Sequence, residues 1–382
     1  MEYKKSCELN NTPGGNGSDL PFPGNSIPEE IYKNTNFFGN NDIRGLKLAA
    51  ESIFPWHTRT GGSKQSPHAT TEIIHAMKSL EKTEKAVNIK APWGNLTAIT
   101  WGDPLNPPVL LCPGRMEPST AFRPLVLRLP NSFFYVALDL PGNGSSDTLP
   151  LGVRFSVQDL VPSVLTVVEY YEWKKVIYIG HSLGAAIGKY FNLAYPGLVT
   201  KMVELDPIPA YNTDAAMPIG DWYHYYYGNY YNEDSYKKHN AGVETAPKYT
   251  LEKIKELVQN VQGLTDEALK HQLERMIEPA GDGLYRFTYD QRMKHVTLLP
   301  FPSEFLKKIY TAPTTPTFAI LAEDMIKLGI YDDVPFLRDP SAWPNKNFKY
   351  KTVPGGHDVH LNDPGCMADD ISKFLLENKS KL

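Results

Sequence analysis

The sequence predicts an α/β protein: a mostly parallel sheet covered by helices on both faces and interrupted by one helical insertion. Two features carry that reading. Short apolar runs of buried-strand type, such as PVLLC at 108–112 and FFYVAL at 133–138, alternate with amphipathic helical stretches after Lys85. Strand, helix, strand at that rhythm calls for parallel strands protected on both sides. The alternation stops between residues 207 and 312, where helical periodicity and an aromatic loop replace it, and then resumes.

The elements follow in order. About thirty N-terminal residues rich in Asn, Gly, Pro and Ser hold few apolar side chains and read as a mobile arm. Two weakly helical patches lie within 42–84, the better at 71–80. Strands are expected at 86–89 and 96–100 around the turn Trp93-Gly94-Asn95, then at 108–112, before Pro113-Gly114. A helix at 120–129, a strand at 133–138 and a helix at 156–171 follow, with Pro162 tolerable in the first turns of the last. Next come a strand at 176–179, a helix at 183–194 and a strand at 202–205. Helices at 251–260 and 266–276 belong to the insertion, and strands at 317–321 and 348–352 and a helix at 366–377 close the chain. The division is an N-terminal extension at 1–85, a core at 86–210 and 311–382, and a cap at 211–310.

Composition excludes several classes. The 382 residues carry 39 Lys+Arg against 43 Asp+Glu, a net charge of −4, too balanced for binding a nucleic-acid backbone or a polybasic membrane anchor. No apolar run reaches the ~18–20 residues that span a bilayer, so no transmembrane segment is expected. The polar opening MEYKKSCELNN shows no secretory signal, which makes the expected protein soluble and intracellular and its N-x-S/T sequons inert. Three cysteines (Cys7, Cys112, Cys366) without CxxC spacing exclude a disulfide framework and a zinc cluster. No metal or cofactor is expected.

The chemistry-bearing signal is Gly180-His181-Ser182-Leu183-Gly184, set between the strand-like KVIYI and a helical pattern. A sharp strand-to-helix turn puts Ser182 at its tip, and the glycines let neighbouring backbone pass close. The helix N-terminus offers the Leu183 N–H to a developing oxyanion, and the Arg115 N–H after the 108–112 strand is its partner. A serine needs a base. His357, in VPGGHDVHLNDP after the last strand, is preferred to His360, read as a packing residue of that loop. Two acids fit the third role, Asp206 ending one strand (VELDPIP) and Asp324 ending another (ILAEDMIKLG). The Gly-rich turn 139–145 lacks GxGxxG spacing and reads as structural.

Taken together, PVLLCPGRMEPSTAFRPLVLRLP, YVALDLPGNGSSDTLP, IGHSLGAAIGKYFNLAYP, DGLYRFTYDQRMK and VPGGHDVHLNDP resemble the α/β-hydrolase superfamily, and within it the serine hydrolase-like family. The resemblance implies an α/β-hydrolase fold: an eight-stranded sheet, a helical cap after the sixth strand, and Ser182–acid–His357 catalysis. The chain departs from the superfamily in having Pro113-Gly114 instead of His-Gly, and in having Met325 at the acid position expected after the seventh strand. Some relatives place the acid after the sixth strand, which favours Asp206 over Asp324. The cap's run of Trp and Tyr, with Met116, suggests an apolar pocket lined by Met116, Trp222 and Tyr226.

The chain ends in Ser380-Lys381-Leu382, the strict form of a peroxisomal import address. The expected function is hydrolysis of an ester or thioester with an apolar moiety through an acyl-enzyme. Its partners are that small-molecule substrate and the peroxisomal import receptor, with a cytoplasmic location if the address is masked. A ligand-binding or low-turnover protein, or a C–C hydrolase or lyase on the same triad, is the alternative.

Overall fold

The computed structural model describes residues 84–152, 154–207, 209 and 218–377. The expected N-terminal arm, the helical patch at 71–80 and Ser380-Lys381-Leu382 lie outside the described residues.

Eight strands form one sheet: β1 (Lys85–Ala91), β2 (Gly94–Trp101), β3 (Pro108–Cys112), β4 (Phe134–Leu138), β5 (Val176–His181), β6 (Val199–Leu205), β7 (Thr317–Ala322) and β8 (Phe348–Val353). Their spatial order is β1-β2-β4-β3-β5-β6-β7-β8. β2 is antiparallel to β1 and to β4, and the other pairings are parallel. Alternate side chains along the strands serve opposite faces. Val109 and Leu111 join one core cluster with Tyr135, Ala137, Ile177 and Ile179. Leu110 and Cys112 join the other with Phe134, Val136, Leu138 and Tyr178. Both faces are therefore buried, as the uninterrupted apolar runs require.

Helices α1 (Val157–Tyr170) and α2 (Leu183–Ala194) cover the second of these faces, and Ser156 N–H donates to Asp159 at 2.7 Å at the start of α1. The continuous helix expected at 120–129 is instead a 3₁₀ turn, Ser119–Phe122, running into a four-residue α-turn, Arg123–Val126. Pro124 supplies no amide donor at the junction, and this prevents one regular ladder from crossing it.

Between β6 and β7 lie short helices at Ile219–Tyr223 and Glu233–His239, then α3 (Leu251–Gln262), α4 (Asp266–Met276) and α5 (Ser303–Thr311). A three-residue strand pair, Ile277–Pro279 with Tyr285–Phe287, sits among them; it is partly exposed and too short for a periodicity signal. The α3 and α4 residues Ile254, Val258, Leu269 and Leu273 pack with Ala121 and Leu361. Those two partners lie on the loops after β3 and β8, so this segment docks over the C-terminal edge of the sheet. α5 turns Leu306 and Tyr310 into the sheet's own core.

Candidate active site

Ser182 stands between the end of β5 and the start of α2 with φ 50° and ψ −114°. A non-glycine residue in that region costs about 1–3 kcal/mol and persists only where its surroundings enforce it. Here they do. The Ser182 N–H donates to the Leu205 carbonyl at 3.0 Å, and its own carbonyl accepts from Ala185 N–H at 3.1 Å. A methyl group on Gly184 would run into the Cys112 and Pro113 carbonyls, and one on Gly180 would lie 2.6 Å from the Ala185 nitrogen. The glycines flanking Ser182 are thus demanded by close backbone passage.

The end of β6 holds Asp206, with φ 42° and a side chain only 1% exposed. Its Oδ2 accepts from Nδ1 of His357 at 2.6 Å. Its Oδ1 accepts from the Ala322 N–H at 2.8 Å and from the Tyr331 hydroxyl at 2.5 Å. Three donors fix this carboxylate, and the carboxylate in turn fixes the His357 ring with Nδ1 as the donor, leaving Nε2 for chemistry. Asp324 is elsewhere: it opens a short helix (Glu323–Lys327), its side chain is 38% exposed, and it pairs with Lys327 at 3.1 Å. The histidine's partner is Asp206.

The loop after β3 closes the same edge. A methyl group on Gly114 would come within 3.3 Å of the Ser182 Cβ, so the Gly114-Arg115 backbone abuts the serine. Leu183 begins α2 on the other side. Met116 adopts φ 59° and packs against the α1–α2 core cluster. Trp222 donates Nε1–H to the Leu298 carbonyl at 2.6 Å and lies 5.7 Å from the Tyr226 ring.

Sequence reasoning passed over Glu117. It is buried, and its Oε2 accepts from Gly114 N–H at 2.5 Å and from His181 Nδ1 at 2.7 Å, while its Oε1 accepts from His360 Nε2 at 2.9 Å. His181 also donates Nε2–H to the His357 carbonyl at 3.1 Å. Burial alone would depress the His181 pKa, but the Glu117 charge and hydrogen bond, with Asp358 and Asp206, lift it to about 9. Burial likewise opposes the Glu117 charge, yet the two imidazoles hold its carboxyl well below the usual range. His360 is pushed down, first by burial and then by the His181 charge. A neutral His360 donating from Nε2 agrees with its buried, unpartnered Nδ1. The available signals were an acid three residues past Gly114 and the His-x-x-His spacing of 357 and 360.

Among the described residues, Glu117, His181 and His360 are also the group able to hold a metal ion, with ligand atoms within 4.8 Å of one another. Their mutual hydrogen bonds already account for Glu117 and His181. Chemically, the edge combines a strained serine, an oriented imidazole and backbone amides from two directions.

The family model described as alpha/beta hydrolase fold matches residues 107–364. A serine hydrolase-like protein of Danio rerio is 30% identical over 304 residues, covering 78% of this chain and 90% of the relative. A probable serine hydrolase of Drosophila melanogaster is 27% identical, covering 82% and 94%. Among solved structures, a hypothetical protein of Pseudomonas aeruginosa PAO1 superposes with a TM-score of 0.62 at 23% identity, covering 76% of this chain and 97% of that one, a likeness of fold. The chain belongs to the α/β-hydrolase fold family, and within it to the serine hydrolase-like proteins.

Proposed function

We propose that the protein is a serine hydrolase that cleaves an ester or thioester through an acyl-enzyme on Ser182. The observation that carries this reading is the 2.6 Å bond from His357 to the triply held Asp206, on the sheet edge where Ser182 is strained. His357 Nε2 takes the Ser182 proton as the oxygen attacks the carbonyl carbon. The Leu183 and Arg115 amides receive the oxyanion. The alcohol or thiol leaves with that proton. Water, deprotonated by His357, then attacks the acyl carbon and restores the serine. Asp206 stabilises the imidazolium at each stage. The C-terminal Ser380-Lys381-Leu382 supports peroxisomes as the site of action, through the import receptor.

Labelling with a fluorophosphonate probe and hydrolysis of p-nitrophenyl esters of graded length test the mechanism. Wild type should take up probe and release nitrophenol, and Ser182→Ala should do neither. A Ser182→Ala protein as active as wild type removes the proposal.

A further inference from the structure

A second group of side chains joins the insertion to the segment leading into α1, and the triad does not use it. Arg154, just ahead of α1, stands over the rings of Tyr226 and Tyr230 at 5.2 and 5.0 Å. Its Nε donates to the Thr297 hydroxyl at 3.2 Å, whereas its Nη2 is buried without a hydrogen-bond partner. His295 packs beside Tyr225 and His239, with ring centroids 5.8 and 5.2 Å away, and its Nδ1 is likewise buried and unpartnered. Lys294 precedes it in the turn Gln291–His295, and the Lys294 carbonyl accepts from Arg115 Nη1 at 2.9 Å. That bond ties the group to the loop abutting Ser182.

The charged members of the cluster, Arg154 and Lys294, are both cations. Burial and then Lys238 push the Lys294 ammonium down to about 8. Burial and then His239, Arg154, Arg115 and Lys294 push His295 down to about 3. Burial lowers Arg154 as well, offset in part only by tyrosines. The neighbouring acid, Asp290, is committed to Arg292 at 2.7 Å. Among the described residues no carboxylate forms an ion pair with Arg154 or Lys294 at the salt-bridge distance of the pairs found elsewhere. A cation withdrawn from water without a carboxylate partner destabilises a fold unless a negative charge joins it.

We infer that Arg154, Lys294 and His295 form a subsite for an anionic group, carboxylate or phosphate, carried by the substrate cleaved at Ser182. Arg154 offers the unused Nη2–H in its planar fork, Lys294 a point charge, and His295 a neutral imidazole whose Nδ1 has no other partner. The tyrosine rings wall the site and accommodate the substrate's carbon chain. The inference rests on the serine-hydrolase reading for its reaction, not for its binding.

The experiment has two parts. The first compares kcat/KM for the p-nitrophenyl monoester of glutarate, the p-nitrophenyl ester of 4-phosphonobutyrate and neutral p-nitrophenyl pentanoate. Wild type should favour an anionic ester over the neutral one by about tenfold, and Arg154→Met and Lys294→Met should each erase most of that ratio. The larger of the two anionic ratios identifies the group. A wild-type ratio of one or less, or a ratio both folded variants leave unchanged, overturns the inference while leaving the serine mechanism standing. The second part titrates glutarate and inorganic phosphate into Ser182→Ala by calorimetry. Binding of one, about tenfold weaker once Arg154→Met or Lys294→Met is added, supports the subsite even if the ester assay refutes the serine mechanism. Failure of both anions to bind refutes it.

Discussion

Glu117→Gln is the perturbation that best separates a positioning network from inert packing. In the native protein, burial pulls the His181 pKa down, but Glu117, with Asp358 and Asp206, raises it from 6.5 to about 9. At about 1.4 kcal/mol per unit, that elevation corresponds to about 3 kcal/mol of stability. The sign is fixed by its direction. A group whose pKa rises on folding contributes fully below its unfolded value, near 6.5, and loses the contribution as pH climbs through about 9. Glutamine keeps an acceptor for one partner but turns an N–H toward another donor, so the loss falls in the range of about 3–5 kcal/mol found for broken buried pairs. Urea unfolding of wild type and variant at pH 6 and pH 10 measures it. The gap should be about 3 kcal/mol or more at the lower pH and should narrow by most of that amount at the higher one. Groups other than this cluster titrate equally in both proteins and cancel from the difference. A gap below about 1 kcal/mol at pH 6, or one that does not narrow, refutes the coupling. Because His181 bonds the His357 carbonyl and Glu117 bonds the Gly114 amide, kcat should fall with KM little changed.

Three further outcomes follow from the same geometry. Asp206→Asn should lower kcat by about 10⁴-fold, as expected when a triad acid no longer enforces the imidazole tautomer, while Asp324→Asn leaves ester hydrolysis within assay error; the reverse pattern in steady-state kinetics would hand the role to Asp324. Tyr331→Phe removes one of three donors to Asp206 and should cost about 1 kcal/mol in urea unfolding, with a several-fold drop in kcat. Deleting residues 380–382 should shift a fluorescently tagged protein from punctate peroxisomal signal to the cytosol, and unchanged puncta would dismiss the import address.

The parallel sheet was legible because β3, β4 and β5 are buried on both faces and appear as unbroken apolar runs. The serine turn was legible because close packing at Gly180 and Gly184 leaves room for hydrogen only, a constraint a five-residue motif records. Glu117 was not legible. A buried acid looks in sequence like any solvated one, and what buries it are His181 and His360, 64 and 243 positions away. The same holds for Arg154, whose partners Tyr226, Tyr230 and Thr297 come from the insertion. Pro124 is the sequence feature that argues against one long helix at 120–129.

Under the proposed mechanism the acid stands at the end of β6, one strand over from the β7 position that the sequence also offers. β6 and β7 are hydrogen-bonded neighbours, with Leu205 opposite Ile320, so their ends emerge side by side. An acid leaving either strand could face the loop that carries His357. At the end of β7 the chain turns at once into a short helix, and Asp324 is spent on its first turn and on Lys327. What β7 contributes instead is the Ala322 amide, which it donates to Asp206. That donation, with Tyr331 just downstream, stabilises a carboxylate on the neighbouring strand and makes β7 a supporting element of the site. Asp206 needs φ 42° to reach this position, a conformation asparagine and aspartate tolerate better than other residues with side chains. The exchange is therefore self-consistent: the strand that lacks an acid paired with His357 supplies a backbone donor to the acid on its neighbour.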